Sequence, residues 1–163
     1  MREAGRIVAI AVRKAFDALE RGITTSELDD IARRAIESEG AKPSFLGLYG
    51  FPATACISIN EEIVHGIPGD RVVQSGDLVT LDCGAIVDGY NSDYAVTQIA
   101  GPSTSEKDDL INTTRASLEM GIKAARPGNR VGDISNAVES QVLPKSYELV
   151  REYVGHGIGK ALH

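Results

Sequence analysis

Runs of basic residues, long apolar stretches and cysteines are all scarce in this sequence. Among its 163 residues are 17 Lys or Arg and 23 Asp or Glu, which give a formal net charge of −6. Because no Lys or Arg cluster offsets this acidic balance, we expect no nucleic-acid surface. The apolar run at residues 7–12 is too short to span a membrane, and the basic residues that flank it at helical spacing argue against a signal peptide.

The cysteines exclude a disulfide scaffold. Cys56 and Cys83 are too few for such a framework, and their spacing is not that of a zinc site. We therefore expect reduced thiols and a cytoplasmic location. With 42% hydrophobic residues, the chain can bury a core and form one domain over residues 1–163.

The spacing of apolar residues predicts two helices, then short strands, then two more helices. The strands fall within residues 54–99. Thr25 is the expected N-cap of the second helix, residues 103–106 form a capping box for the third, and Asp133 is the expected cap of the fourth. The predicted helices cover about residues 2–20, 25–39, 103–125 and 133–142.

This order of elements contains a faint repeat. The segment "GITTSELDDIA" at residues 22–32 lines up with "GNRVGDISNAV" at residues 128–138. Chance similarity between two helix–turn–helix units would explain the match equally well. If the repeat is real, the chain has pseudo-symmetric halves, about 1–100 and from 101 onward, and most of the second half-sheet is missing.

Two aspartates stand inside a predicted β-hairpin at residues 78–97. An Asp-Gly turn at residues 88–89 places Asp82 opposite Ala95, and it places Asp93 opposite a glycine. The two carboxylates are then diagonal neighbours on one face, with backbones roughly 7–8 Å apart. The alternative is that both simply face solvent on a two-sided hairpin.

The chain has three histidines; two of them lie next to a glycine, and the third ends the glycine-containing segment "GHGIGKALH". They are His65, His156 and His163. Glycine allows the backbone to approach a ligand closely, although a single histidine is more often a packed or surface residue. Together with Asp82 and Asp93 they form a candidate metal site. Mixed carboxylate and imidazole ligands suit manganese, cobalt, iron or zinc.

Three segments resemble a known family. "ISINEEIVHGIP", "LDCGAIVDGYNSD" and "GHGIGKALH", in this order, closely resemble three blocks of the type I methionine aminopeptidases. The resemblance implies the pita-bread fold, an α/β fold of the α+β type with an antiparallel sheet and flanking helices, its second half incomplete here. It also implies metal-dependent removal of the N-terminal methionine from nascent proteins and peptides, with two divalent metal ions as cofactors.

The resemblance assigns roles to individual residues. It implies that Asp82, Asp93 and His156 are metal ligands, and that Asp93 bridges both ions. It implies that His65 and His163 are catalytic residues that also bind substrate. His65 contacts the peptide group, and His163 polarises the scissile carbonyl.

A fourth stretch resembles the family's methionine side-chain pocket. "SFLGLYGFPATAC" makes Leu48, Phe51 and Cys56 candidates for substrate binding. Apolar walls and a thiol suit a thioether side chain, although each residue is as well explained as part of a core. Leu48 stands where the family commonly has an aromatic residue, which implies a looser pocket. Asn91-Ser92 stand where bacterial relatives usually carry His-Gly.

Two glutamates that the family takes from its second half have no counterpart before His163. Glu139 and Glu148 are poor substitutes, because they belong to a predicted helix and the loop after it. We therefore expect the 163-residue chain alone to be nearly inactive. We also expect its open sheet edge to need the missing C-terminal half or a self-association partner.

Two other functions stay open from the sequence. A proline-specific relative would also contain "GHGIG" and the aspartate pair, and a non-catalytic half-pita module would keep the fold without the activity. The segment "SINEEIVHGIP" favours the methionine aminopeptidases over the proline-specific relatives. The expected partners are peptide or nascent-chain N-termini, and neither nucleic acid nor a membrane.

Overall fold

The computed structural model describes residues 1–163, which divide into two compact units. The first unit is Met1–Pro102 with His156–His163, and the second is Ser103–Gly155. The last eight residues therefore belong to the same unit as Met1–Pro102, and the predicted pseudo-symmetric halves stay a prediction. None of the helices is long and apolar enough to cross a membrane.

Two amphipathic helices begin the first unit, α1 (Arg2–Asp17) and α2 (Thr25–Ser38). α1 ends three residues before its predicted end, because the N–H groups of Ala18 and Leu19 bond to carbonyls three residues back and tighten the last turn. The residues that both helices bury recur at helical spacing: Ile7, Val8, Ala11, Val12, Ala15 and Phe16, then Leu28, Ala32, Ala35 and Ile36.

The N-cap of α2 is Thr24, so the prediction of Thr25 was wrong by one residue. The Thr24 hydroxyl accepts the N–H of Glu27 at 3.2 Å, and the Glu27 carboxylate accepts the N–H of Thr24 at 2.8 Å. Thr25 is buried instead, and its hydroxyl donates to the carbonyl of Gly69 at 3.0 Å.

Six strands form two antiparallel sheets of three strands each. One sheet has the order β2 (Ala55–Ile59), β3 (Leu78–Cys83) and β6 (Tyr94–Ile99). The other has the order β1 (Lys42–Pro43), β4 (Ala85–Val87) and β5 (Tyr90–Asn91). β1 and a short 3₁₀ turn, Leu48–Gly50, lie outside the predicted strand region.

The predicted hairpin register is confirmed. Asp82 pairs with Ala95, and Val87 pairs with Tyr90 across the Asp-Gly turn. The predicted strand 78–87, however, is interrupted at Gly84, where the chain passes from one sheet to the other. A Cβ at Gly84 would lie 2.7 Å from the Ser92 carbonyl oxygen and 2.8 Å from Ser44 Cβ, so only glycine fits there.

The main core lies between the two helices and one face of the sheet β2-β3-β6. Side chains on this face alternate along the strands, and they include Ile57, Ile59, Val79 and Leu81. Cys56 and Asp82 are paired neighbours on the intervening positions. The opposite face of the same sheet therefore carries the Asp82 carboxyl group and the Cys56 thiol.

The second unit is a helix pair, α3 (Ser105–Ala124) and α4 (Val131–Val142), followed by a 3₁₀ turn at Leu143–Lys145. The N-cap of α3 is Thr104, whose hydroxyl accepts the N–H of Lys107, and not Ser103. Asp133 lies inside α4, and its carboxylate accepts the N–H of Arg130 at 2.7 Å. Asp133 therefore accepts a free N–H group at the start of the helix from a position in the first turn, and it is not the N-cap residue itself.

Candidate active site

A cavity of about 560 Å³ in the first unit brings together all eight predicted site residues. Its walls combine two carboxylates, three imidazoles and a set of apolar side chains. The lining residues are Phe45, Leu48, Tyr49, Gly50, Phe51, Pro52, Cys56, His65, Ile67, Asp82, Asp93, His156, Leu162 and His163.

The Asp82 and Asp93 carboxyl groups meet at one side of this cavity. Burial, then the negative charge of Asp93 and a hydrogen bond to Asp93, raise the pKa of Asp82 to about 7, while His156 acts in the opposite direction. The Oδ1 atom of Asp82 is buried and has no hydrogen-bond partner. A buried oxygen without a donor, facing a second carboxylate, is an arrangement that a cation would stabilise.

His156 faces the same pair of carboxylates. Its Nε2 lies 3.4 Å from Asp93 Oδ2, and its Nδ1 lies 3.1 Å from the carbonyl oxygen of Gly157. A carbonyl only accepts hydrogen bonds, so the Nδ1 atom carries the proton in this contact. Metal-binding histidines commonly donate one ring N–H to a carbonyl in this way while the other nitrogen faces the ion.

These donors fit a divalent ion by their chemistry, although they do not form a closed cluster. No three His, Cys, Asp or Glu side chains among residues 1–163 stand together as a ready metal site. The Asp82 and Asp93 carboxyl groups interact with each other instead. Two carboxylates, one of them with the partnerless Oδ1, and one imidazole nevertheless match the preferences of borderline divalent metals. The ligand roles of Asp82, Asp93 and His156 stay predictions.

The other two histidines reach the cavity from different segments. The His163 ring lies edge-on to that of His156, with 4.5 Å between centroids. His65 has left-handed backbone (φ 61°) and precedes Gly66, whose carbonyl accepts the N–H of Ile57 at 2.8 Å. A Cβ at Gly66 would lie 2.2 Å from the Ile57 carbonyl oxygen, so glycine allows this loop to lie against β2. The catalytic roles of both histidines stay predictions.

The apolar side of the cavity is built around three buried residues, Phe45, Cys56 and Leu162. Leu48 and Phe51 pack against them and line the cavity as well, so they contribute to both packing and surface. Burial first, and then the charges of nearby carboxylates, raise the pKa of the Cys56 thiol to about 12. The thiol therefore stays neutral and provides a polarisable wall, not a nucleophile.

Sequence reasoning missed several residues that shape the site. Phe45 and Leu162 line the cavity, but their apolar character alone could not separate them from ordinary core residues. Asp29 on α2 was also missed. One oxygen of its carboxylate accepts the N–H groups of Thr54 at 3.0 Å and Ala55 at 2.7 Å. These hydrogen bonds fix the start of β2 just before Cys56. The sequence signal that could have identified Asp29 was an acidic residue next to a core position of the helix.

Substitutions of Asp29 should separate its hydrogen bonds from its charge. Burial raises the pKa of Asp29 above 3.8, against the effect of its two backbone hydrogen bonds. Its contribution to stability is therefore fully present below about pH 4 and is lost as the pH rises through the raised pKa. Asp29→Asn keeps an accepting oxygen without the charge, so its stability relative to wild type should increase between pH 4 and pH 8 in urea unfolding.

Asp29→Ala serves as the contrasting variant. It leaves the N–H groups of Thr54 and Ala55 without their acceptor, which typically costs about 1–3 kcal/mol for each buried group. We expect it to be less stable than Asp29→Asn at every pH. Equal stability of the two variants would show that these hydrogen bonds do not hold β2.

Comparison with known proteins places these features in context. Residues 1–163 match the model of metallopeptidase family M24. The chain is 46% identical over 163 residues to methionine aminopeptidase 1 of Bacillus subtilis, covering 100% of this chain and 66% of that protein. A crystal structure of methionine aminopeptidase from Thermotoga maritima has a TM-score of 0.97 and 36% identity, covering 100% of this chain and 66% of that one.

A more distant structure has the same fold. The prolidase from Pyrococcus furiosus has a TM-score of 0.88 at 24% identity, and the match covers 99% of this chain and 47% of that one. The expected pita-bread fold and the family resemblance of the sequence are confirmed by these similarities. The chain spans 66% of the length of the Bacillus subtilis relative.

Proposed function

We propose a function for this chain from one premise, which is that it belongs to metallopeptidase family M24. We infer that the protein carrying these 163 residues removes the N-terminal methionine from nascent proteins and peptides. The observation that carries this inference is the single cavity that combines Asp82, Asp93 and the three histidines with an apolar wall. The names of the relatives in Bacillus subtilis and Thermotoga maritima support methionine as the residue removed. Nascent chains place this reaction in the cytoplasm.

The donors that would hold the metal are Asp82, Asp93 and His156. Two divalent ions are proposed, and manganese, cobalt, iron and zinc all suit such a donor set. When bound, ions of this kind supply Lewis-acid chemistry to a peptide carbonyl and to water. The pKa of Asp82, raised to about 7, means that ion binding has to displace a proton from the carboxylate pair near neutral pH.

Two of the remaining side chains would orient the peptide. A neutral His163 can donate a hydrogen bond to the carbonyl oxygen on which charge develops, and His65 can contact the adjoining peptide group. Both lie at the cavity wall, on segments separate from β3, which carries Asp82, and from the connection between β5 and β6, which carries Asp93. They can therefore bind the substrate without replacing a metal ligand.

The apolar wall would hold the side chain of the first residue. Phe45, Phe51 and Leu162 give an unbranched thioether an apolar surface, and the neutral Cys56 thiol adds a polarisable contact. Leu48 fills less space than an aromatic residue would, so some tolerance for other long apolar side chains is expected. An N-terminal alanine would leave most of this surface unfilled.

A peptide panel tests the proposed function and its alternatives. Manganese-loaded protein carrying this chain should release methionine from Met-Ala-Ser at a rate at least about tenfold above its cleavage of Ala-Ala-Ser, because several methylene-sized contacts are lost with alanine. Faster cleavage of Ala-Pro than of Met-Ala-Ser would instead indicate the proline-specific alternative. Absence of cleavage of all three peptides by metal-loaded protein would indicate a non-catalytic binding module.

A further inference from the structure

Asn91 is a buried polar residue at the end of β5, two positions before Asp93. Its side chain and backbone are only 5% exposed, whereas the neighbouring Tyr90 is exposed. It pairs with Ile86 in the short hairpin that follows the Gly84 break. None of the roles proposed above uses this residue, although its position lies next to the carboxylate pair.

Asn91 makes three hydrogen bonds to the segment 156–163. Its backbone N–H donates to the carbonyl of Gly159 at 2.8 Å. Its side-chain amide donates to the same carbonyl at 3.2 Å and to that of Lys160 at 3.0 Å. Both protons of the amide group are thereby used on one loop.

The segment 156–163 has no helix or strand of its own to keep it in place. Leu162 is buried beside Phe45 and Cys56, which anchors the segment near its end. The contacts of Asn91 add an anchor in its middle, between His156 and His163. A loop fixed at these two points holds the intervening backbone with less freedom than a loop fixed at one.

We propose that Asn91 is a positioning residue that docks the histidine segment 156–163 onto the hairpin and so aims His156 at the carboxylate pair. The distance of 3.4 Å between His156 Nε2 and Asp93 Oδ2 depends on this docking, because the two residues are carried by segments that Asn91 joins. The consequence for metal binding rests on the proposed function. The docking itself does not.

Asn91→Asp is the sharpest test of this role. It keeps the size of the side chain, but it removes the amide donor and places carboxylate oxygen against two backbone carbonyls. Asn91→Ala is the second variant, because it keeps the backbone hydrogen bond and introduces no repulsion. Asn129→Asp is the matched control, since the Asn129 amide donates to the carbonyl of Ala124 at 2.8 Å in the other unit.

The first measurement needs no metal. The chain has three histidines, so their imidazole signals can be followed by NMR in the presence of a chelator. Asn91→Asp should shift or broaden the signals of His156 and His163, while the amide signals of β3 and β6 stay in place. Asn91→Ala should show the same change, and it decides the question if Asn91→Asp does not fold. Unchanged His156 and His163 signals in either folded variant would overturn the proposal.

The second measurement is a manganese titration of the same proteins. Asn91→Asp should bind manganese about ten- to hundredfold more weakly than wild type, the range seen when groups that orient a ligand are removed. Asn129→Asp should bind like wild type. Full affinity in a folded Asn91→Asp variant would contradict the aiming of His156. Wild-type protein carrying this chain that binds no manganese would contradict the proposed function, and the histidine signals would still decide the role of Asn91.

Discussion

Asp93→Asn is expected to lower the manganese affinity of protein carrying this chain by about a hundredfold or more, since even groups that only orient a ligand contribute ten- to hundredfold. The structural reason is that Asp93 contacts both other predicted ligands. Its carboxyl group interacts with that of Asp82, and its Oδ2 atom lies 3.4 Å from His156 Nε2. Asp93→Asn removes the negatively charged group that lies between Asp82 and His156. Calorimetric titration measures the change.

Asp88→Asn is the matched control for this prediction. It removes the same charge from the same hairpin, but Asp88 is an exposed turn residue. Asparagine tolerates the left-handed backbone there (φ 50°), so the turn should survive. We expect unchanged manganese affinity. Equal losses in the two variants would mean that the net charge of the hairpin, and not a ligand at Asp93, sets the affinity.

Replacing His65 or His163 by alanine is expected to lower turnover of Met-Ala-Ser by about 10²–10³-fold without loss of metal, which is the usual effect of removing one donor to a developing oxyanion. Both rings line the cavity, but the nitrogen directed at Asp93 belongs to His156. His156→Ala should therefore lose metal affinity, whereas the other two variants should keep it. Steady-state kinetics and metal analysis of the same samples separate the two effects.

Glutamine at position 163 gives a further control. It retains an N–H donor without the imidazole ring, so His163→Gln should recover part of the activity that His163→Ala loses. A metal ion missing from purified His65→Ala would show that His65 is a ligand. That result would contradict the division of roles among the three histidines.

The hairpin register could be predicted from sequence because local chemistry determines it. Asp88 and Gly89 both have left-handed backbone, at φ 50° and 77°, as a two-residue turn of this kind requires. Once that turn is fixed, alternation along the strands places Asp82 and Asp93 on one face. The same reasoning could not locate the break at Gly84, since the atoms that exclude a side chain there belong to Ser44 and Ser92.

Features that depend on distant segments were not predictable from one sequence. The burial of Thr25 depends on its contact with Gly69, 44 residues away, whereas the capping box between Thr24 and Glu27 was a local signal that the prediction of Thr25 overlooked. The role of Asn91 similarly depends on carbonyls 68 and 69 residues further along the chain. Residue type alone gave no sign of the contact between Thr25 and Gly69 or of the contacts of Asn91.

Metal dependence of methionine release is the property on which the proposed function depends. The decisive measurement is release of methionine from Met-Ala-Ser by protein carrying this chain, first stripped with a chelator and then supplied with manganese, beside Asp93→Asn treated in the same way. We predict no release from the stripped protein, recovery of wild-type activity with manganese, and no recovery in Asp93→Asn. Full activity of wild-type protein whose metal content has been verified as zero would contradict the assignment of Asp82, Asp93 and His156 as the metal site.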